Sequence, residues 1–192
     1  YKKKIQGNQE FKQEQEIEFE LNEKPIQKLE KILPKLGFQK YWKYHKGDSM
    51  PWANSFFDDS QWEFINPRLN FHKLPENTFE NIGWFRLHIE VDTQFVNQTL
   101  GLMLTQPGAS EIYLDGKLIY HFGKIDTKNF ENEERYDPQN LPLPIKFEKT
   151  RKHLLAIRYA NAKAISNFKT KGISYPGFEI SLGRLRDNIV FK

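Results

Sequence analysis

From residue 83 onward, apolar and polar positions alternate in short bursts. In WFRLHIEV (84–91), Phe85, Leu87, Ile89 and Val91 fall on one side, with Trp84, Arg86, His88 and Glu90 on the other. This is the period-two signature of a strand buried on one face. TLGLMLTQ (99–106), HLLAIRYA (153–160) and FEISLG (178–183) continue the texture. EIYLDGKLIYHF (111–122) alternates on both sides of Asp115-Gly116. That pair predicts a hairpin closed by a type I′ turn, which needs positive φ at both central residues. Turn chemistry alone accounts for the pair, so its tip is expected to reverse the chain rather than to touch a ligand.

The first 40 residues read differently. Residues 1–15 are a polar lead-in rich in Lys, Gln and Glu. In EIEFEL (16–21), Ile17, Phe19 and Leu21 alternate with glutamates and predict a strand. After Pro25 the spacing of Ile26, Leu29, Ile32, Leu33 and Leu36 is helical, with Pro34 and Gly37 as stop signals. The chain thus divides into an N-terminal extension, 1–40, containing a short helix, and a domain over 41–192. Short strands separated by turn-rich stretches, with 124–140 and 161–177 as long end loops, predict an all-β antiparallel sandwich for that domain.

Composition narrows the function classes. Aromatics reach 15%, enough to fill a core in a chain of 192 residues whose hydrophobic share is only 38%. Cysteine is absent, which removes disulfides and thiolate chemistry but fixes no compartment. The net charge of +4 comes from interspersed signs rather than basic clusters, so nucleic acid is not an expected partner. No run approaches the roughly 20 apolar residues of a membrane span. The five histidines are scattered, and neither a nucleophile elbow nor a phosphate-binding glycine loop nor a zinc helix is present. The expected class is a non-enzyme with no cofactor.

Two constellations could carry chemistry. Trp42, Tyr44, His45, Asp48 and Trp52 crowd aromatic and polar groups into a loop-like stretch. They exceed what one strand can bury on a single face, and flat rings beside His45 and Asp48 suit a sugar or another polar ring. The bland alternative puts Trp42 and Trp52 in the core. Asp58 and Asp59, with Ser60 and Trp62, could hold a cation or a sugar, or could serve as a loop whose carboxylates cap backbone amides. Arg86 and His88 share the second face of their strand, a face usually solvated unless a loop covers it.

Four motifs in order carry a family resemblance: FFDDSQWEFINP (56–67), GWFRLHIEV (83–91), ASEIYLDGKLI (109–119) and HLLAIRYAN (153–161). The series resembles galactose-binding-like jelly rolls, including the sugar-binding domain of family 2 glycoside hydrolases, and extends over 41–183. YWKYHKGDSMPWANSFFDDSQW (41–62) and QPGASEIYLDGKLIYHFGK (106–124) add a likeness to the extracytoplasmic jelly-roll domains of bacterial seven-transmembrane receptors. The resemblance implies a jelly-roll sandwich, with the Asp58-Asp59 loop structural. It further implies a periplasmic ligand- or partner-sensing ectodomain in signal transduction, of the kind whose membrane helices feed a histidine kinase of a two-component system, a cyclase or a phosphatase module. Such a domain would recognise a carbohydrate or related small molecule and be anchored through membrane segments elsewhere in a longer chain. A homodimer is among the arrangements this reading admits. The alternative implication is an accessory carbohydrate-binding or scaffolding domain of a glycoside hydrolase.

Overall fold

In the computed structural model, which describes residues 19–21, 42–70, 72, 82–129, 132–172 and 175–184, the longest alternating run is also the longest strand. Ten strands are described: β1 (Phe19–Leu21), β2 (Trp42–Lys46), β3 (Glu63–Ile65), β4 (Ile82–Val91), β5 (Thr99–Thr105), β6 (Ala109–Leu114), β7 (Lys117–Phe122), β8 (Leu143–Lys146), β9 (Lys152–Ala160) and β10 (Glu179–Arg184). Among the described residues one α-helix, α1, spans Ala164–Lys171. The large sheet runs β3-β2-β4-β9-β6-β7, and the small sheet β10-β5-β8. β4 pairs with β9 along most of its length, while its other edge is shared by β2 at residues 83–86 and by β1 at 89–91. β1 is the parallel strand in the large sheet, so this part of the N-terminal extension is built into the sandwich. The helix expected after Pro25 lies outside the described residues.

The core sits between the sheets. Phe85, Leu87, Ile89 and Val91 of β4 meet Leu100, Leu102 and Leu104 of β5 and Ile180 and Leu182 of β10, all essentially solvent-free. Phe178 anchors one end, its ring 4.9 Å from Phe85, 5.5 Å from Tyr159 and 5.6 Å from Trp42, within the range where aromatic pairs attract. The all-β sandwich expected from alternation is the fold observed.

Three expectations need correction. Trp42–Lys46 is a strand, not part of a loop, and its own alternation sends Trp42 and Tyr44 into the core. LPLP (141–144), whose two prolines read as a connection between strands, instead leads into β8, which takes in Leu143 and Pro144. Pro144 is tolerated because β8 is an edge strand paired only with β5, leaving the missing N–H without a required partner. Within 161–177, two turns of helix form and end at Gly172 in the left-handed region with φ 65°.

The hairpin behaves as its turn chemistry demands. Asp115 and Gly116 have φ 51° and 85°. The Asp115 carboxylate accepts from the Leu154 N–H at 2.8 Å and pairs with His153 Nδ1 at 2.6 Å, tying the turn to β9. The tip touches the protein itself: a side chain at Gly116 would meet Ala53 O and the Asn54 Cα at 3.6 and 3.7 Å.

Candidate functional site

The outer face of the large sheet is not left to solvent. Residues 47–62 leave β2, fold across that face and return as β3. The excursion is built from local turns: a 3-10 helix over Met50–Ala53 with Pro51 in its first turn, and two Asx-type contacts. In those, Asn54 Oδ1 accepts from Phe56 N and Asp58 Oδ1 accepts from Ser60 N, both at 2.9 Å. Its apolar residues Ala53 and Trp62 join Trp84, Tyr113, Leu154 and Ala156 in a second core, with Trp52 and Phe57 packed against it. The segment is a lid.

Arg86 locks it. This guanidinium is fully buried and donates from Nε to Asp59 Oδ2 at 2.6 Å. Its Nη1 reaches the Trp52 carbonyl and, at 3.0 Å, the Asn54 carbonyl, while Nη2 donates to Phe57 O at 3.1 Å. The rings of Phe57 and Trp62 lie 5.5 and 5.7 Å from its carbon. Asp59 receives two further cations or donors, Lys43 Nζ at 2.9 Å and His88 Nε2 at 2.8 Å. Burial opposes ionisation of Asp59, yet the bonds from His88, Arg86 and Lys43 outweigh it and hold the carboxyl well below its ordinary value. With Lys43, Arg86 and His88 already on its oxygens, the Asp59 charge is answered by protein donors, and the positive groups around it oppose a bound cation. Among the described residues no group of acids and histidines is arranged to hold a metal ion. Asp58 is exposed and its carboxylate is spent on the Ser60 turn.

A second charged group lies in one row across the sheet, where His45, Trp84, Arg158, Glu111 and His121 face one another on β2, β4, β9, β6 and β7. Arg158 grips Asp48 with two parallel bonds of 2.7 and 2.6 Å, and reaches Glu111 at 3.0 Å. Trp84 Nε1 donates to Asp48 at 3.2 Å, and Tyr113 OH to Glu111 at 2.6 Å. Burial raises the Asp48 carboxyl, but Arg158 and Trp84 outweigh it and the net shift is downward. Burial, and then the Glu111 carboxylate, push the Tyr113 phenol up. This row pins the start of the lid to β9.

The five aromatic and polar residues expected to form one surface therefore separate. Trp42 and Tyr44 are in the core between the sheets, Trp42 with no exposed surface and Tyr44 with almost none. His45 and Trp52 do come together on the outer face, ring centroids 4.7 Å apart, with Trp62 5.3 Å from His45. Asp48 joins Arg158 instead. The residues that sequence reasoning passed over are Lys43, Glu111 and Arg158. Their signal was a lone charge within an otherwise apolar or aromatic alternating run.

No protein-family model and no curated protein matches this chain. Among solved structures it is similar in fold to a calcium-binding mutant of Bacteroides uniformis beta-glucuronidase 2, with a TM-score of 0.51 at 20% identity, covering 75% of this chain and 17% of that one. A glycosyl hydrolase family 2 member from Bacteroides cellulosilyticus aligns with a TM-score of 0.46 at 19% identity, over 65% of this chain and 17% of that one. A beta-glycosidase from Bacteroides vulgatus aligns with a TM-score of 0.47 at 18% identity, over 76% of this chain and 20% of that one. The chain thus spans no more than a fifth of the length of these enzymes, and at such identities the likeness concerns the fold alone.

Proposed function

We propose that the chain is a non-catalytic β-sandwich module that binds carbohydrate in the service of glycoside-processing machinery. The observation that supports this most directly is the sandwich itself, similar to a minor portion of a beta-glucuronidase. The employment of four of its carboxylates agrees. Asp48, Asp59, Glu111 and Asp115 each answer an arginine, lysine or histidine in a structural contact. Paired carboxylates that work on a glycosidic bond need one free acid and one free base or nucleophile. Titration calorimetry with soluble oligosaccharides, run beside a turnover assay on nitrophenyl β-D-glucuronide and β-D-galactoside, tests the reading. Saccharide binding without turnover is the expected result. Turnover abolished by one carboxylate substitution would make the chain an enzyme.

A second reading is the sensory ectodomain of a bacterial membrane receptor, lying on the extracytoplasmic face and passing a ligand-biased state toward the membrane through β10. Its support is the wording of 41–62 and 106–124, which now map onto β2 with the lid and onto the β6–β7 hairpin. Reading the gene past Lys192 discriminates: seven membrane helices favour the receptor, and a barrel-sized soluble domain favours the glycosidase module.

A further inference from the structure

Three aromatic rings line the lateral seam where the edge strands of the two sheets approach. Tyr120 and Phe122 project from one face of β7, centroids 6.0 Å apart and planes within 16°. Tyr136 continues the series, 5.9 Å from Phe122 and within 11°. The cause is an extension of the pairing beyond β7. Lys124 and Glu134 exchange backbone hydrogen bonds of 2.7 and 3.1 Å, and stepping two residues along each strand from that pair sets Phe122 beside Tyr136. The inner end of the strip is tied to the small sheet, because Tyr120 OH donates to Pro144 O of β8 at 2.6 Å. The outer end is open. Tyr136 is 54% exposed, and Leu141 close by in the chain is 63% exposed.

An exposed ring is ordinarily mobile, but here the backbone of Tyr136 is fixed. Its N–H donates to Gly108 O at 3.1 Å, and its carbonyl accepts from Gln106 Nε2 at 2.8 Å. Gln106 is itself buried, and its own N–H is held by Asp137. A rigid, half-exposed tyrosine offers contact area at small entropic cost. Lys124, Glu134 and Arg135 are exposed around it and supply donors and acceptors for a hydroxyl-bearing ligand.

We infer that this strip, with Tyr136 as its open end, is a stacking platform for the pyranose ring of a carbohydrate, an assignment that rests on the carbohydrate-binding reading above. The C–H face of a pyranose lies flat on an aromatic ring, while its hydroxyls point outward to the charged rim. A protein partner would call for a broader apolar surface than one tyrosine and one leucine ringed by charge.

The test uses the whole chain with cellohexaose, xylohexaose and laminarihexaose as probes, read by titration calorimetry and by saturation transfer from tyrosine ring protons. At least one probe binds the unaltered chain. Tyr136→Ala and Tyr136→Gln each weaken that binding roughly tenfold or more without moving the melting temperature, whereas Tyr136→Phe retains it. Equal affinity in Tyr136→Ala, Tyr136→Gln and the unaltered chain overturns the site and leaves the carbohydrate reading standing. Failure of all three probes to bind the unaltered chain overturns the carbohydrate reading and the site with it. A concentration-dependent dimer abolished by Tyr136→Ala makes the strip a protein contact and also overturns the proposal.

Discussion

Replacing Arg86 by methionine removes the lock while keeping an unbranched side chain of similar length. Four hydrogen bonds disappear, one to Asp59 and three to lid carbonyls. Asp59 keeps Lys43 and His88, so its charge is not stranded. The three carbonyls are different, because methionine donates nothing and the position the guanidinium vacates is solvent-free. Leaving a buried acceptor without its donor costs roughly 1–3 kcal/mol, so three orphaned carbonyls make a loss of about 3–5 kcal/mol, and lifting of the lid to rehydrate them sets the ceiling. For a domain of this size that loss lowers the melting temperature by roughly 6–20 °C. Urea unfolding followed by tryptophan fluorescence measures it, and the probe is well placed: Trp52, Trp62 and Trp84 all belong to the lid cluster. Arg86→Met should shift the midpoint, and it should redden the emission before denaturant is added if the lid opens locally. Adding Asp59→Leu should not recover the loss, because the three carbonyls stay unpaired and Lys43 and His88 lose the carboxylate they share. A change in stability below about 1 kcal/mol, within the range of ordinary surface substitutions, would refute the lock.

Other consequences can be checked on the same footing. His153 is buried, and both its ring nitrogens face acceptors, Asp115 Oδ2 at 2.6 Å and Thr150 O at 2.9 Å, an arrangement that only the imidazolium satisfies fully. Burial opposes that charge, but the two bonds outweigh it and raise the pKa above 6.5. The contribution is therefore complete below the unfolded value and is lost as pH rises through the folded one; thermal melts across neutral pH should show a steeper alkaline decline in the unaltered chain than in His153→Gln. Gly116→Val places a β-branched residue at φ 85° against Ala53 and Asn54, and should cost on the order of 1 kcal/mol or more in urea unfolding. Trp52→Ala takes a ring away from Trp62, Trp84, Phe57 and His45, so a melting drop of several degrees, roughly 2 kcal/mol, is expected even without a ligand; an unchanged melting temperature would return Trp52 to the candidate binding residues.

Much of the sandwich could be read from the chain because period-two alternation is a local signal. Phe85, Leu87, Ile89 and Val91 declare their shared face without reference to any other segment. Asp115-Gly116 declares its turn the same way. What escaped was non-local or short. β8 carries a proline that reads as a loop until its edge position is known, and α1 has only two turns in which a periodicity could register. The lid is the clearest case. Asp59 and Arg86 are 27 residues apart, and nothing in either neighbourhood says that a buried guanidinium waits for that carboxylate. The crowd of aromatics at 42–52 was legible as a crowd, but its division was not. Trp42 and Trp52 look alike in sequence, and only the strand phase of β2 sends one inward while the 3-10 helix lays the other across the outer face.

The covered face narrows where recognition can occur. A sheet offers a ligand its two faces and its edges. In this protein the inner face of the large sheet is consumed by the small sheet, and the outer face by a lid fastened at Arg86 and Arg158. The acids of those fastenings are consumed with them, since Asp59 and Asp48 complete the two locks and Glu111 shares Arg158. The surface over the large sheet therefore has little free carboxylate chemistry with which to hold a metal or move a proton. At the seam between β7 and β8 the side chains are of another kind: parallel rings, a tyrosine whose main chain is held by hydrogen bonds, and exposed charges near it in the chain. Such a surface works by stacking and hydrogen bonding. The same division of labour that makes the lid costly to remove is why we propose the seam, and not the face where the sequence first suggested a site, as the place where a carbohydrate binds.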